Sequence, residues 1–320
     1  MPMQMENYTL AQFSDFRQLK EYVNALKPDV VILFHAPFFL SKISPFIDEI
    51  KKLTRIVVYV PVEGFPLTID LSFLDKADLI LTPSRFSQEC LAKEGYKAEV
   101  LYHGVDQNVF RPIKSIEKKY LEEEIFKIGT VASLNWRKQL TAIIDAYALA
   151  ISKGMKNTEY YLVASTYDST PWMPDINTYT QKLGIKIKLS KTAYLNLPVT
   201  AQTMTSFYNQ LHLHILPTSE SFGLPTLEAM ACGTVPVVIK HGASPEIVAD
   251  CGIYVETEGW FATSMGRFAL VKVEDLANKI TWASQNREAL MRLAKKAVKK
   301  AKLFNWNKAV TQLHELMHHL

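Results

Sequence analysis

Cysteine is scarce in this 320-residue chain: Cys90, Cys232 and Cys251, an odd number without the paired Cys or Cys/His spacing of a zinc site. That spacing excludes a disulfide framework and leaves the thiols as reduced residues in or near a core. Long apolar runs are also missing. No stretch approaches the roughly 18 uninterrupted apolar residues of a membrane span. The amino end, Met-Pro-Met-Gln-Met-Glu, lacks the charged and apolar regions of a signal peptide, so the chain is expected in the cytoplasm. Nor does one sign of charge dominate. Lys and Arg number 36 against 32 Asp and Glu, a net +4 that implies no nucleic-acid footprint. A mild basic balance favours anionic substrates and leaves weak attraction to a membrane surface open.

What is present is an alternation of strand-like and helix-like patterns. Residues 10–26 place Phe13, Phe16, Leu19, Tyr22, Val23 and Leu26 at three-and-four spacing, an amphipathic helix ended by Pro28. Apolar β-rich runs at 29–34, 55–60, 78–82 and 98–103 read as buried parallel strands, with a helix at 45–53. A charged linker, 112–124, reads as solvated surface. Beyond it come a strand at 126–132, helices at 140–150 and 201–211, strands at 160–164, 185–189, 211–216, 235–239 and 252–256, and carboxyl-terminal helices at 273–285 and 287–303. The basic run 292–302 fits a solvated helix face. Such alternation predicts an α/β fold with doubly wound parallel sheets.

The most informative stretch is 218–238, Thr-Ser-Glu-Ser-Phe-Gly-Leu-Pro-Thr-Leu-Glu-Ala-Met-Ala-Cys-Gly-Thr-Val-Pro-Val-Val. It lies between two apolar runs, so its loop belongs at the carboxyl edge of a sheet, where open α/β folds bind ligands. Gly223 lets the backbone approach a ligand, Pro225 suits a first helical turn starting near Leu224, and Gly233 suits its end. The unpaired N–H groups at that start form an anion site. Glu220 before the helix and Glu228 one turn inside it can grip paired hydroxyls of a ribose or a hexose; alternatively they only complement the helix dipole.

Taken whole, the stretch resembles the Glu-x7-Glu signature of retaining GT-B glycosyltransferases of the group-one, family-four type. Residues 77–86 (Ala-Asp-Leu-Ile-Leu-Thr-Pro-Ser-Arg-Phe), His103-Gly-Val-Asp106 with Phe110-Arg-Pro112, Gly242-Ala-Ser-Pro-Glu-Ile-Val248 and Phe304-Asn-Trp306 resemble further motifs of that family. The resemblance covers 77–112 and most of 126–312. It implies two Rossmann-like domains facing across a cleft: a first, acceptor-side domain over 1–113, a nucleotide-sugar domain over 114–303, and a terminal helix over 304–320 that crosses back to the first. It further implies Arg137 and Lys138 on the donor diphosphate, Glu228 on the ribose, Glu220 on the sugar hydroxyls, and Phe222, Gly223, Leu224 and Asn135 lining the donor site.

Departures from the family pattern are equally specific. Glu63 stands where many relatives have a histidine near the reacting sugar, and is either a turn residue or a polar group of the active site. His103 replaces a usual Asn, Ser133 a frequent Arg, and Ser165-Thr166 the usual glycines. No strand and Gly-rich loop precede the first helix, so the first domain reads as trimmed, with an acceptor pocket that is open or completed by a partner or a second copy. Trp172, in a long aromatic loop, is a candidate for lining a pocket, and His241 borders the site.

The implied activity is transfer of a hexose, with retention, from a UDP- or GDP-linked sugar to an acceptor hydroxyl on a glycan, lipid or small molecule. No Asp-x-Asp pair occurs, which argues against the metal-dependent GT-A class, so neither metal nor cofactor is expected. Two other readings stay open: a sugar-nucleotide-binding module that depends on a partner, and an epimerase or hydrolase using Glu63 or His35 as base.

Overall fold

The computed structural model describes residues 3–5, 8–10, 16–166, 173–190, 197 and 199–320. Trp172 lies outside the described residues. Two parallel sheets organise the chain. The first, β3 (Val30–Phe34), β4 (Arg55–Tyr59), β5 (Leu79–Thr82) and β6 (Glu99–Val100), runs in sequence order, and all its pairs are parallel. One face packs Ile56, Val58 and Ile80 against helical residues Leu19, Ile47 and Leu91. The other face, with Val57 and Leu81, is covered by Ala309, Leu313 and Leu316 of the terminal helix Trp306–Met317. The expected crossing back is thus present. It depends on Gly104, whose absent Cβ would stand 2.2 Å from the Trp306 backbone nitrogen.

The second sheet has the order β12-β11-β10-β7-β8-β9, again wholly parallel. Its strands are β7 (Phe126–Ser133), β8 (Thr158–Ser165), β9 (Lys188–Leu189), β10 (Leu213–Ile215), β11 (Val235–Ile239) and β12 (Ile253–Val255). The chain builds outward from β7 in one direction and then restarts beside β7 with β10. That reversal is a topological switch point, where the loops leaving β7 and β10 diverge and leave a crevice for ligands. β10 and β11 are buried along their whole length, which explains the unbroken apolar character of β11; β10 carries His214 at its centre.

Two sequence expectations need correction. A strand pair ahead of the first helix, β1 (Met3–Met5) antiparallel to β2 (Tyr8–Leu10), forms a sheet of its own, and the parallel sheet begins with β3 after that helix. Leu10 belongs to β2 and not to the helix, which spans Phe16–Leu26 among the described residues. The charged linker is not simply solvated surface. It contains the helix Ile116–Leu121, capped by Ser115, in which Lys119 is 3% exposed and the Tyr120 hydroxyl donates to the carbonyls of His212 and Gly233. Removal from water lowers the Lys119 amine to about 7. The basic run of the Arg287–Ala301 helix does face outward, because Leu290, Ala294, Ala297 and Ala301 form its buried stripe.

A feature invisible to strand counting follows β12: the antiparallel hairpin β13 (Thr257–Thr263) and β14 (Gly266–Val271). Its tip reaches the first domain. Thr68 N–H donates to Ser264 O, and a Cβ on Gly266 would lie 2.3 Å from the Gly64 carbonyl carbon.

Two wholly buried histidines, His212 and His214, make the fold acid-sensitive. Burial lowers both to about 3. Their folded values are depressed, so the stability they contribute is present above pH ~6.5 and is lost as pH falls toward 3, as the unfolded chain takes up protons the folded chain refuses. Each should add about 1 kcal/mol of stability loss per pH unit in that window. Chemical denaturation at pH 7, 6 and 5 checks this. His214→Leu should flatten the pH dependence relative to the unmodified chain, and an unchanged slope would refute the assignment.

Candidate active site

The loop leaving β7 is shaped by Asn135, whose side-chain oxygen accepts from the Arg137 N–H at 3.2 Å and caps the short turn Trp136–Lys138. Gln139 then adopts φ 51°, a left-handed conformation that a non-glycine residue rarely holds without support. Support comes from the second hairpin, since the Gln139 amide donates to Ala269 O and accepts from Val271 N, each at 2.9 Å. The turn thereby aims Arg137 and Lys138 into the switch-point crevice.

The loop leaving β10 meets them there. Lys138 Nζ pairs with Glu220 Oε1, which also accepts from the Thr218 hydroxyl, and both side chains are nearly buried. Arg137 Nη1 lies 2.9 Å from each Glu63 oxygen, so the cations of the second domain grip a carboxylate from each side of the cleft. Burial pushes the Glu63 carboxyl up against the pull of Arg137 and Lys138. Burial would also raise Glu220, but Lys138, Arg137 and the hydrogen bond from Thr218 hold it below its ordinary value.

Glu220 is fixed from behind as well. Ala243 N–H donates to Glu220 O at 2.8 Å, and Gly242, at φ 68°, lies so close that a Cβ there would stand 2.6 Å from Glu220 O. Ser219 Oγ pairs with His241 Nδ1 at 2.8 Å and accepts from Ala269 N–H. Gly223, at φ 90°, turns the chain into the helix Leu224–Ala231, which ends before Gly233 at φ 72°, as its punctuation predicts. The nearest atom to a Gly223 Cβ would be 3.7 Å away, so backbone conformation alone calls for glycine there.

The structure therefore joins Glu63, Arg137, Lys138 and Glu220 in one chain of contacts. Glu228 sits inside the helix with Oε2 accepting from the Tyr208 hydroxyl at 2.9 Å, and burial raises its carboxyl. Asn135 positions Arg137. Phe222 is buried, and its ring packs among Tyr102, His103 and Phe304. Leu224 packs half-buried against the same cluster. His35 lies on the first sheet's edge against Phe39, its ring nitrogen accepting from Ala36 N–H.

Several contributors carried no local signal. Tyr208 lies on the helix Ala201–Gln210, 20 residues from Glu228 in sequence. Glu246 accepts from the N–H groups of Arg85 and Phe86 and from the Tyr102 hydroxyl at 2.9 to 3.3 Å, so a second-domain carboxylate caps a first-domain helix. The only local trace of the β13–β14 hairpin is a pair of apolar, β-rich runs, 260–262 and 268–271, on either side of the turn at Ser264-Met265-Gly266.

Residues 112–300 match the family model for glycosyl transferases, group 1. O-antigen chain mannosyltransferase B of Escherichia coli is 27% identical over 194 residues, covering 57% of this chain and 49% of that protein. D-inositol 3-phosphate glycosyltransferase of Streptomyces bingchenggensis is 28% identical over 131 residues, covering 40% and 26%. The chain thus spans about half, or less, of the curated relatives it matches. Among solved structures, Anabaena Alr3699/HepE in complex with UDP and glucose superposes with a TM-score of 0.74 at 18% identity, over 97% of this chain and 84% of that one. Sucrose-phosphate synthase from Thermosynechococcus elongatus superposes at 0.72 with 16% identity, over 95% and 76%. The fold is that of the GT-B glycosyltransferases, and the chain belongs to the group 1 glycosyl transferases.

Proposed function

We propose that the protein is a retaining hexosyltransferase that uses a nucleotide-diphosphate sugar, with the acceptor on the 1–113 side of the cleft and the donor on the 114–303 side. The observation that carries this reading is the convergence of Arg137 and Lys138 on the switch-point crevice beside the Gly223-led helix. The carboxylates Glu63 and Glu220 neutralise these cations in the structure, and a diphosphate takes over that role when the donor binds. Arg137 holds phosphate oxygens through its planar fork and Lys138 adds a point charge. Glu228 accepts from the ribose hydroxyls, with Tyr208 orienting it, and Glu220 accepts from the hexose hydroxyls.

In the chemical step the anomeric carbon–oxygen bond breaks, its electron pair going to the leaving diphosphate. The acceptor oxygen attacks from the same face and gives its proton to that diphosphate. Arg137, Lys138 and the helix N–H groups stabilise the negative charge as it grows, so no metal is required of the mechanism. A UDP- or GDP-linked hexose is favoured by a relative named as a mannosyltransferase and by a solved neighbour carrying UDP and glucose. The epimerase reading loses support from Glu63, whose carboxylate is engaged by Arg137.

Calorimetric titration with UDP-, GDP- and ADP-sugars tests the reading, followed for each binder by release of free nucleoside diphosphate with and without acceptor. Glu228→Ala should weaken donor affinity about 10- to 100-fold, the loss expected for hydrogen bonds to a charged acceptor. Binding without turnover under any acceptor would favour the partner-dependent binding module. No binding by any nucleotide sugar would sink the cleft assignment.

A further inference from the structure

Beside the crevice, at the β12 end of the second sheet, lies an open groove of about 1000 Å³. Its floor is the Gly252–Thr257 strand segment, and its walls are the β13–β14 hairpin and the helix Val273–Gln285. Two of the chain's five tryptophans line it, Trp260 from the hairpin and Trp282 from the helix, 54% and 42% exposed. Exposure alone is common to the described tryptophans, but here two indoles line one concave surface, the arrangement of a ligand-binding groove.

The polar lining identifies the ligand class. Lys240 and Lys279 are matched by Glu256 and Asp275, so the groove carries no net charge and does not suit a phosphate or a nucleic acid. Asn278 and Lys279 stand on the same helix as Trp282 and offer hydrogen-bond groups beside its ring. Flat apolar rings edged by neutral and balanced polar groups complement a pyranose, whose C–H face stacks on an indole while its hydroxyls turn outward. The volume is at the upper end for small-molecule sites, enough for a run of sugars rather than one.

Position makes the groove more than a surface feature. His241 lines it, meets Trp260 at 4.8 Å between ring centroids, and holds Ser219, the neighbour of Glu220. Along the carboxyl edge of the sheet the groove is at β11 and β12, whereas Arg137 and Lys138 are at β7. A chain of sugars in the groove therefore ends next to the hexose end of the crevice and does not compete with the diphosphate.

We propose that this groove, on the donor-side domain, binds an oligosaccharide, holding the body of a glycan whose end reaches across to the acceptor side of the cleft; the presentation rests on the transferase reading above. The probes are linear mannan- and glucan-derived oligosaccharides of two to six sugars, followed by tryptophan fluorescence and calorimetry. Affinity should rise with length, and Trp282→Ala should weaken the longest bound probe about tenfold, with Trp282→Phe recovering part of the loss. Nucleotide-sugar binding should be unchanged in both variants. Donor binding with no oligosaccharide binding, or oligosaccharide binding that survives Trp260→Ala and Trp282→Ala together, would overturn the groove. Absence of donor binding alone would instead count against the transferase reading.

Discussion

Arg137→Ala should lower turnover by about 10²- to 10³-fold, roughly 3–4 kcal/mol of lost transition-state stabilisation, with a smaller effect on KM. The reason is where charge develops. The diphosphate gains negative charge only as the glycosidic bond breaks, so a guanidinium beside it acts more strongly on the transition state than on the bound donor. Arg137→Lys should recover little, because an ammonium is a point charge and cannot present the planar fork of donors that holds two phosphate oxygens at once. Steady-state kinetics beside thermal unfolding separate this from a purely structural role. If turnover changes by less than about threefold while the melting temperature drops, Arg137 is only a clamp between the domains and the proposed role is wrong.

Gly242→Ala is the second large effect, and it acts without touching any charged group. At φ 68° an alanine carries left-handed strain of about 1–2 kcal/mol, and its Cβ would meet Glu220 O and N at 2.6 and 2.8 Å. Those are backbone atoms and cannot rotate aside, so the loop bearing Glu220 must shift, adding about 1–3 kcal/mol of overpacking. Activity should fall at least 10²-fold, since displacement of a site group by about an ångström has that cost. Gly223→Ala is the internal control. It shares the positive φ, but a Cβ there would meet nothing closer than 3.7 Å, an ordinary contact distance, so its stability loss should be limited to the strain. Equal melting-temperature losses for the two variants would show that the Gly242 contact is not what fixes the loop.

Much of the fold was legible because its signals are local. Unbroken apolar runs marked strands that are buried on both faces, and Gly223, Pro225 and Gly233 marked the ends of one helix through constraints on single residues. The linker failed for a related reason. Lys118 to Glu124 is charged in composition, yet burial of Lys119 and Tyr120 is decided by Thr234 and His212, more than 90 residues away. The packing of the Phe222 ring against Tyr102 and Phe304 is likewise set by residues far away in sequence.

The candidate site divides along the same line. Residue types and spacing within 218–238 determined a helix that starts at Leu224 and ends before Gly233, with one carboxylate ahead of it and one inside it, because chain reversal and helical phase act over a few residues. The pairing of Arg137 with Glu63, 74 positions apart, the capping of the Arg85–Lys93 helix by Glu246, 161 positions from Arg85, and the Trp260–Trp282 groove were decided only by tertiary structure. The first two depend on two sheets meeting at their carboxyl edges, a contact that follows from the packing of whole domains, and the groove depends on the hairpin folding beside β12 and the helix Val273–Gln285; no short stretch of sequence contains either arrangement.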